Sequence, residues 1–382
     1  MIPYGKQEIS AEDIDAVINI LNSDFLTQGP AVPSFEKSLS EITGAKFSTV
    51  VNSATSALHL ACLSLGVSEG DHVWTVPNTF VASANCALYC GAKINFVDID
   101  PLTYNLSIKD LEKKLIVAEK SGNLPKVVIP VHLAGEPCDM LEIKKLSDKF
   151  NFKVIEDASH AIGGKYREWP IGSCKFSDIT VFSFHPVKIV TTGEGGAVLT
   201  NDPVLDQKLK LLRTHGITRD KALMDYPNEN AWYYEQIDLG FNYRMTDIQA
   251  ALGLSQLTRL DEFLNKRHII ANIYDTELSE SNITLPYRNP DNFSALHLYP
   301  IQVSEARHDY IFNRLREIGV GVNVHYIPVH TQPYYQKLGF RWGDFPNSEK
   351  YYRRAISLPI FSTLTSDQQS FVIESVRSFC NA

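Results

Sequence analysis

The chain lacks the runs and motifs that mark several large protein classes. No apolar stretch reaches the ~18 residues a membrane-spanning helix needs. The opening MIPYGKQEIS leads into no apolar segment of the kind a secretory signal carries. Lys plus Arg number 36 against 44 Asp plus Glu, a net charge of −8, so the basic excess that grips a nucleic-acid backbone is missing. There is no G-x-G-x-x-G fingerprint, no Walker lysine loop and no G-x-S-x-G elbow. Cysteine is sparse and scattered, at positions 62, 86, 90, 138, 174 and 380. Cys86 and Cys90 share a helical spacing, but no second pair completes a zinc site. His132, His160, His185 and His215 are too dispersed for a metal centre. These absences predict a soluble cytoplasmic protein with free thiols and with no metal, membrane or nucleic-acid partner.

What is present is a chain of 382 residues, 44% hydrophobic and 21% charged, long enough for two domains. Strand-like and helix-like segments alternate over its first two thirds. TVVNSAT (49–55), HVWTVP (72–77), KINFVDID (93–100), KVVIPVHLAG (126–135), NFKVIED (151–157) and DITVFSF (178–184) read as strands. Residues 54–66, 80–91 and 140–150 read as helices, the first two closed by Gly66 and Gly91. Such alternation predicts an α/β fold, a mostly parallel sheet covered on both faces. Residues 201–260 read as largely helical. Residues 245–278 form a long amphipathic helix with a break, capped by Thr246 or Asp247. Residues 297–303, 308–319, 320–328 and a helix over 366–380 suggest a small α+β unit. The expected division is 1–250 and 251–382.

Ligands of such folds lie beyond the carboxyl ends of strands. Thr55, Asp157, Ser183 and Lys188 all fall at or just after such ends. In VFSFHPVKIVTTGEGG (181–196), Lys188 follows an apolar strand and precedes a glycine-rich turn. A lysine on one strand end and a carboxylate on another suit pyridoxal phosphate. The amine forms an imine with the aldehyde, and the carboxylate keeps the pyridine nitrogen protonated. A surface lysine and a turn aspartate are the alternatives. Asn52-Ser53-Ala54-Thr55-Ser56 opens a helix whose free N–H groups and hydroxyls would cradle a phosphate, with Ser183 adding a hydroxyl; ordinary helix capping is the alternative. Phe80 is placed to stack on the pyridine ring or simply to pack. His160 sits near the ring oxygen or packs against backbone. His325 and Tyr326 read as a substrate-side loop.

Further motifs join these. They are LTQG (26–29), NSATSAL (52–58), TFVASA (79–84), DIDP (98–101), EDASHA (156–161), SFHPVKIVTTGEGGAV (183–198), LGFNYRMTDIQAALGL (239–254) and HYIPVH (325–330). As a set they resemble the DegT/DnrJ/EryC1/StrS nucleotide-sugar aminotransferases, a branch of the fold-type I pyridoxal phosphate enzymes, over nearly the whole chain. The resemblance implies a large domain with a mostly parallel seven-stranded sheet and a smaller C-terminal α+β domain. It implies Lys188 as the imine-forming lysine and proton carrier, and Asp157 as the pyridine partner. Phe80 would be the stacking residue, and Thr55, Ser56 and Ser183 the phosphate contacts. Asn242 would reach the phosphate from the other subunit of a homodimer, so that a monomer is inactive. His160 would lie near the cofactor hydroxyl, where relatives often carry glutamine. Arg213 and Arg244 are candidates for glutamate or sugar-diphosphate contacts.

The resemblance further implies transfer of an amino group from L-glutamate to the C4 ketone of a UDP-linked 4-keto-6-deoxy-N-acetylhexosamine, a step serving pseudaminic acid synthesis and flagellin glycosylation. C3 or C4 amination of another UDP- or dTDP-keto sugar stays open, as does a nucleotide-sugar binding protein without chemistry.

Overall fold

A computed structural model describes residues 1–227 and 230–381; Ala382, the end of the second expected domain, lies outside the described residues. The sheet is built from short β-branched and aromatic runs, which favour pleated, buried backbone. Its strands are β1 (Phe47–Val51), β2 (His72–Thr75), β3 (Lys93–Phe96), β4 (Val127–Ile129), β5 (Lys153–Asp157), β6 (Ile179–Ser183) and β7 (Gly196–Thr200). They lie in the order β1-β7-β6-β5-β4-β2-β3. Neighbours from β3 to β6 run parallel, and β7 is antiparallel to both β6 and β1. This is the mostly parallel seven-stranded sheet implied above.

Alternate residues along each strand feed two separate cores. Trp74, Val154 and Phe182 join helices α2 (Ala31–Thr43), α5 (Ile108–Ser121), α6 (Met140–Phe150) and α8 (Asp247–Leu257) on one face. Val73, Ile155 and Val181 join α3 (Ala54–Ser64), α4 (Ala82–Tyr89) and α7 (Pro203–Arg213) on the other. At about 1.5–3 kcal/mol for each fully buried large aliphatic or aromatic side chain, these two layers fix the strand ends in place. A third core gathers residues from Ile270 to Cys380 around the antiparallel pair β8 (Tyr299–Gln302) and β9 (Ala355–Leu358), with Ile2 packed against it.

The break in the long amphipathic segment separates α8 from α9 (Leu260–Glu277). Thr246 is the cap: its side chain accepts from Gln249 N, and Gln249 reciprocates. The largely helical reading of 201–260 needs correction. Between α7 and α8 the described residues contain no helix, and carry a short pair, Ile217–Thr218 against Glu235–Gln236. Here two backbone segments cross in direct contact, and a side chain on Gly216 would collide with the Asp238 carbonyl. Helix α1 (Ala11–Leu21), α2 and α5 had no counterpart in the sequence reading. Likewise 320–328 joins the C-terminal unit through isolated bridges, Ile2 with Val320 and Asn323 with Ser357, rather than a regular element.

Candidate active site

Beyond the carboxyl ends of β1, β2, β4, β5 and β6 lies a cavity of about 610 Å³. Thr55, Phe80, Asp157, His160, Ser183, Lys188, His325 and Tyr326 all line it. The fold therefore brings eight sequence candidates to one place.

Asp157 closes β5 and is 4% exposed. Ser83 Oγ donates to its Oδ2 at 2.6 Å, while Ser159 donates to Oδ1 from both N (3.1 Å) and Oγ (2.6 Å). Three donors on one carboxylate fix its plane. Lys188 sits in a turn whose N–H bonds to His185 O. Burial pushes its pKa down to about 8, against the opposing pull of Asp157. Its amine is thus partly neutral near physiological pH, as a nucleophile or proton carrier requires.

At another part of the wall, Ser53 caps α3 with extended backbone and accepts from Ser56 N at 3.1 Å. The first-turn N–H groups of Ala54 and Thr55 have no carbonyl inside the helix to bond. Strand β7 presses on this turn: a Cβ on Gly196 would lie 2.6 Å from Ala54 N and 2.7 Å from Ser53 O. A glycine there lets the helix start sit against the sheet with Ser53, Thr55 and Ser183 turned to one cavity. Free N–H groups and hydroxyls of this kind fit a phosphate. A carboxylate fits a protonated pyridine nitrogen, and an amine an aldehyde. Phe80, 58% exposed at the mouth, offers a ring face. The residues present fit pyridoxal phosphate.

Burial keeps three histidines of this wall, His160, His297 and His325, neutral. His160 Nδ1 accepts from Ala134 N at 3.3 Å, and Nε2 lies 2.9 Å from Tyr326 Oη. Burial, then Lys188 and His325, hold its pKa well below the usual imidazole value. Burial pushes His325 to about 3, with Lys188 adding to the effect. Its Nδ1 meets Ser357 Oγ at 2.9 Å, and Asn323 Nδ2 lies 3.4 Å from Nε2. His297 lines the cavity at 4% exposure, its Nδ1 without a hydrogen-bond partner.

Other candidates stand elsewhere. Ser56 is buried beside the cavity, its N–H already taken by the cap. Arg213 is a correction: its guanidinium pairs with Glu36 Oε1 at 2.6 Å and Val50 O at 2.7 Å, so it braces α2 against β1. Arg244 and the exposed Asn242 do not line the cavity, and no arginine does among the described residues. Sequence reasoning gave no role to Ser83, Ser159, Ala134 or His297. Ser83 lies in the quoted TFVASA motif, Ser159 in the quoted EDASHA motif and Ala134 in the quoted strand over 126–135. His297 comes from chain distant in sequence, and its place on the wall carried no local signal.

A mostly parallel sheet with a lysine and a triply bonded aspartate facing one cavity defines a fold-type I pyridoxal phosphate transferase. The chain belongs to the DegT/DnrJ/EryC1/StrS aminotransferase family, whose sequence profile matches residues 7–377. It is 39% identical over 384 residues to the UDP-4-amino-4,6-dideoxy-N-acetyl-beta-L-altrosamine transaminase of Campylobacter jejuni, covering 99% of this chain and 97% of that protein. Its structure is similar to Helicobacter pylori PseC, an aminotransferase of pseudoaminic acid biosynthesis (TM-score 0.91, 32% identity, 100% of this chain and 99% of that one). It is also similar to the PLP form of the sugar aminotransferase Spr1654 from Streptococcus pneumoniae (TM-score 0.90, 29% identity, 100% and 98%). Pyridoxal phosphate is the cofactor of this sugar aminotransferase family. No helix among the described residues is long and apolar enough to cross a membrane, and no group of His, Cys, Asp and Glu among them is arranged to hold a metal ion.

Proposed function

We propose that this aminotransferase moves the amino group of L-glutamate to the C4 ketone of a UDP-linked 4-keto-6-deoxy-N-acetylhexosamine, giving the 4-amino-4,6-dideoxy-N-acetyl-β-L-altro sugar. The observation that carries the chemistry is Lys188 and Asp157 on the wall of one cavity. The choice of sugar is supported by the 39% identity to the Campylobacter enzyme. A pseudaminic acid route, flagellin glycosylation and a cytoplasmic setting belong to the same proposal; the six free cysteines are in keeping with a reducing compartment.

When bound, pyridoxal phosphate supplies an aldehyde for the migrating amino group and a ring that accepts electrons from the carbon losing its proton. Lys188 takes the proton from the glutamate α-carbon and later delivers one to sugar C4. Asp157, held by Ser83 and Ser159, keeps a proton at the pyridine nitrogen. Thr55 and Ser183, with Ser53 and the start of α3, hold the phosphate, and Ser56 orders that turn. Phe80 covers one ring face and keeps water from it.

A homodimer is part of the reading. Asn242 is exposed, and Leu239 and Trp232 nearby in the chain are 77% and 70% exposed. A second copy covering this segment would bring Asn242 to its neighbour's phosphate, with Arg244 and the substrate diphosphate close by. We also propose residues 1–250 as the cofactor-binding unit and 251–382 as the smaller one.

The test is incubation with L-glutamate and a panel of UDP- and dTDP-linked 4-keto sugars, with products assigned by NMR. The proposal expects the altro 4-amino product from the UDP-N-acetyl sugar. Preferential amination of a dTDP sugar, or amination at C3, overturns the substrate assignment. Lys188→Ala should fold normally yet release no 2-oxoglutarate; near wild-type turnover would reject the mechanism.

A further inference from the structure

His160 carries a polarity that can be read from its neighbours. The Ala134 N–H is an obligatory donor, and it points at Nδ1 at 3.3 Å. Nδ1 must therefore present its lone pair. The ring is neutral, its pKa held low by burial and by Lys188. Its single proton is then on Nε2, which donates to Tyr326 Oη at 2.9 Å. Tyr326 Oη has accepted, so its own hydrogen is left to donate. No protein acceptor for it occurs among the described residues, and Tyr326 lines the cavity. Burial keeps the phenol protonated, with Asp157 adding to the effect.

The backbone around this relay is built for it. Ala134 holds φ +59°, and Gly135 follows at φ +96°. A Cβ on Gly135 would stand 2.8 Å from Leu296 N and 2.9 Å from His160 O. Glycine lets this turn approach His160 closely enough to aim the Ala134 N–H. On the other side, Asn78 Oδ1 accepts from Tyr326 N at 3.2 Å and places the tyrosine backbone.

We propose that Tyr326 is the hydrogen-bond donor to the ketone oxygen of the amino-acceptor sugar, and that His160 is the positioning residue that aims it through the Ala134–His160–Tyr326 relay. This rests on the aminotransfer reading above. Both His160 nitrogens meet the protein, Nδ1 at Ala134 N and Nε2 at Tyr326 Oη, which is how the ring sets the direction of the tyrosine hydroxyl. The ketone oxygen needs a neutral donor, because it is polarised on attack and departs as water. Lys188 is occupied at carbon, and His325 Nδ1 is engaged with Ser357. A glutamine could replace His160 in this role, since its amide accepts at one atom and donates at the other. A leucine could not.

The two half-reactions separate the outcomes. In single turnovers with L-glutamate and then UDP-4-keto-6-deoxy-N-acetylhexosamine, Tyr326→Phe should slow the sugar step roughly 10- to 100-fold more than the glutamate step. His160→Leu should match it, His160→Gln should recover most of that loss, and the Tyr326→Phe/His160→Leu double variant should lose little more than either alone. Long-range 15N–1H NMR of the apoprotein should show His160 protonated at Nε2 only. A proton on Nδ1, equal slowing of both half-reactions, or a Tyr326→Phe sugar step at the wild-type rate overturns the proposal. Wild-type protein inert toward glutamate overturns the aminotransfer reading, and this proposal with it, whatever the NMR shows.

Discussion

Lys188 reaches the cavity with a pKa near 8, lowered by burial and partly restored by Asp157. The groups around it leave Asp157 as the charge that matters, because burial keeps His160, His297 and His325 neutral. Attachment of pyridoxal phosphate to the apoprotein should therefore quicken as pH rises through about 8, followed by absorbance in stopped flow. The stability sign follows the same shift. Unfolded lysine holds its proton up to its ordinary value of 10.5. Between about 8 and that value the unfolded chain binds more protons, so apoprotein stability from this group should rise with pH there. A thermal midpoint that falls between pH 8 and 10 in wild type relative to Lys188→Met contradicts this. Asp157→Asn should retain the fold within about 2 kcal/mol, because the amide can still accept from Ser159 and face Ser83. Its turnover should drop about 100-fold or more as the ring nitrogen loses its anionic partner. Unchanged turnover would reject that pairing.

The start of α3 depends on what lies behind it as much as on its own residues. Gly196→Ala should weaken cofactor binding by roughly tenfold or more, because the new methyl must displace Ala54 and Ser53. Fluorescence titration of the apoprotein with pyridoxal phosphate measures this, and an unchanged affinity removes the strand from the phosphate argument. Much of this architecture was legible in sequence. The period-two and apolar runs located β1 to β6, and the glycines at 66 and 91 marked helix ends. Helices α1, α2 and α5 escaped because no motif drew attention to them. The stretch between α7 and α8 misled because helical composition says nothing about two backbones crossing at Gly216 and Gly240. The cavity residues were legible where they follow a strand, as Thr55, Asp157, Ser183 and Lys188 do. Arg213 was not: a positive charge at the end of α7 reads the same whether it meets a substrate or Glu36. Ala134 and His297 were hidden for a different reason. One contributes a backbone N–H and the other an unpartnered ring atom, and only tertiary packing gives either a meaning.

At the scale of the whole molecule, the expected shared site makes a genetic-style test possible. Lys188→Ala and Asn242→Ala chains should each be inactive alone. Mixed and reassociated, they should recover roughly a quarter of wild-type activity, since half the dimers are mixed and one site in each is intact. No recovery, with light scattering showing mixed dimers, would place Asn242 outside its neighbour's site. The loop that carries Lys188 has one more implication. It joins β6 to its antiparallel neighbour β7, and is stitched at its base by Phe184 N to Gly195 O at 2.9 Å and Thr192 N to Phe184 O at 3.0 Å. A base tethered so briefly at both ends approaches from one side, and has no route to the opposite one. On the reading proposed above, the proton would always arrive from that one side, so the configuration at the new amine would be decided by which way round the sugar is held rather than by the base.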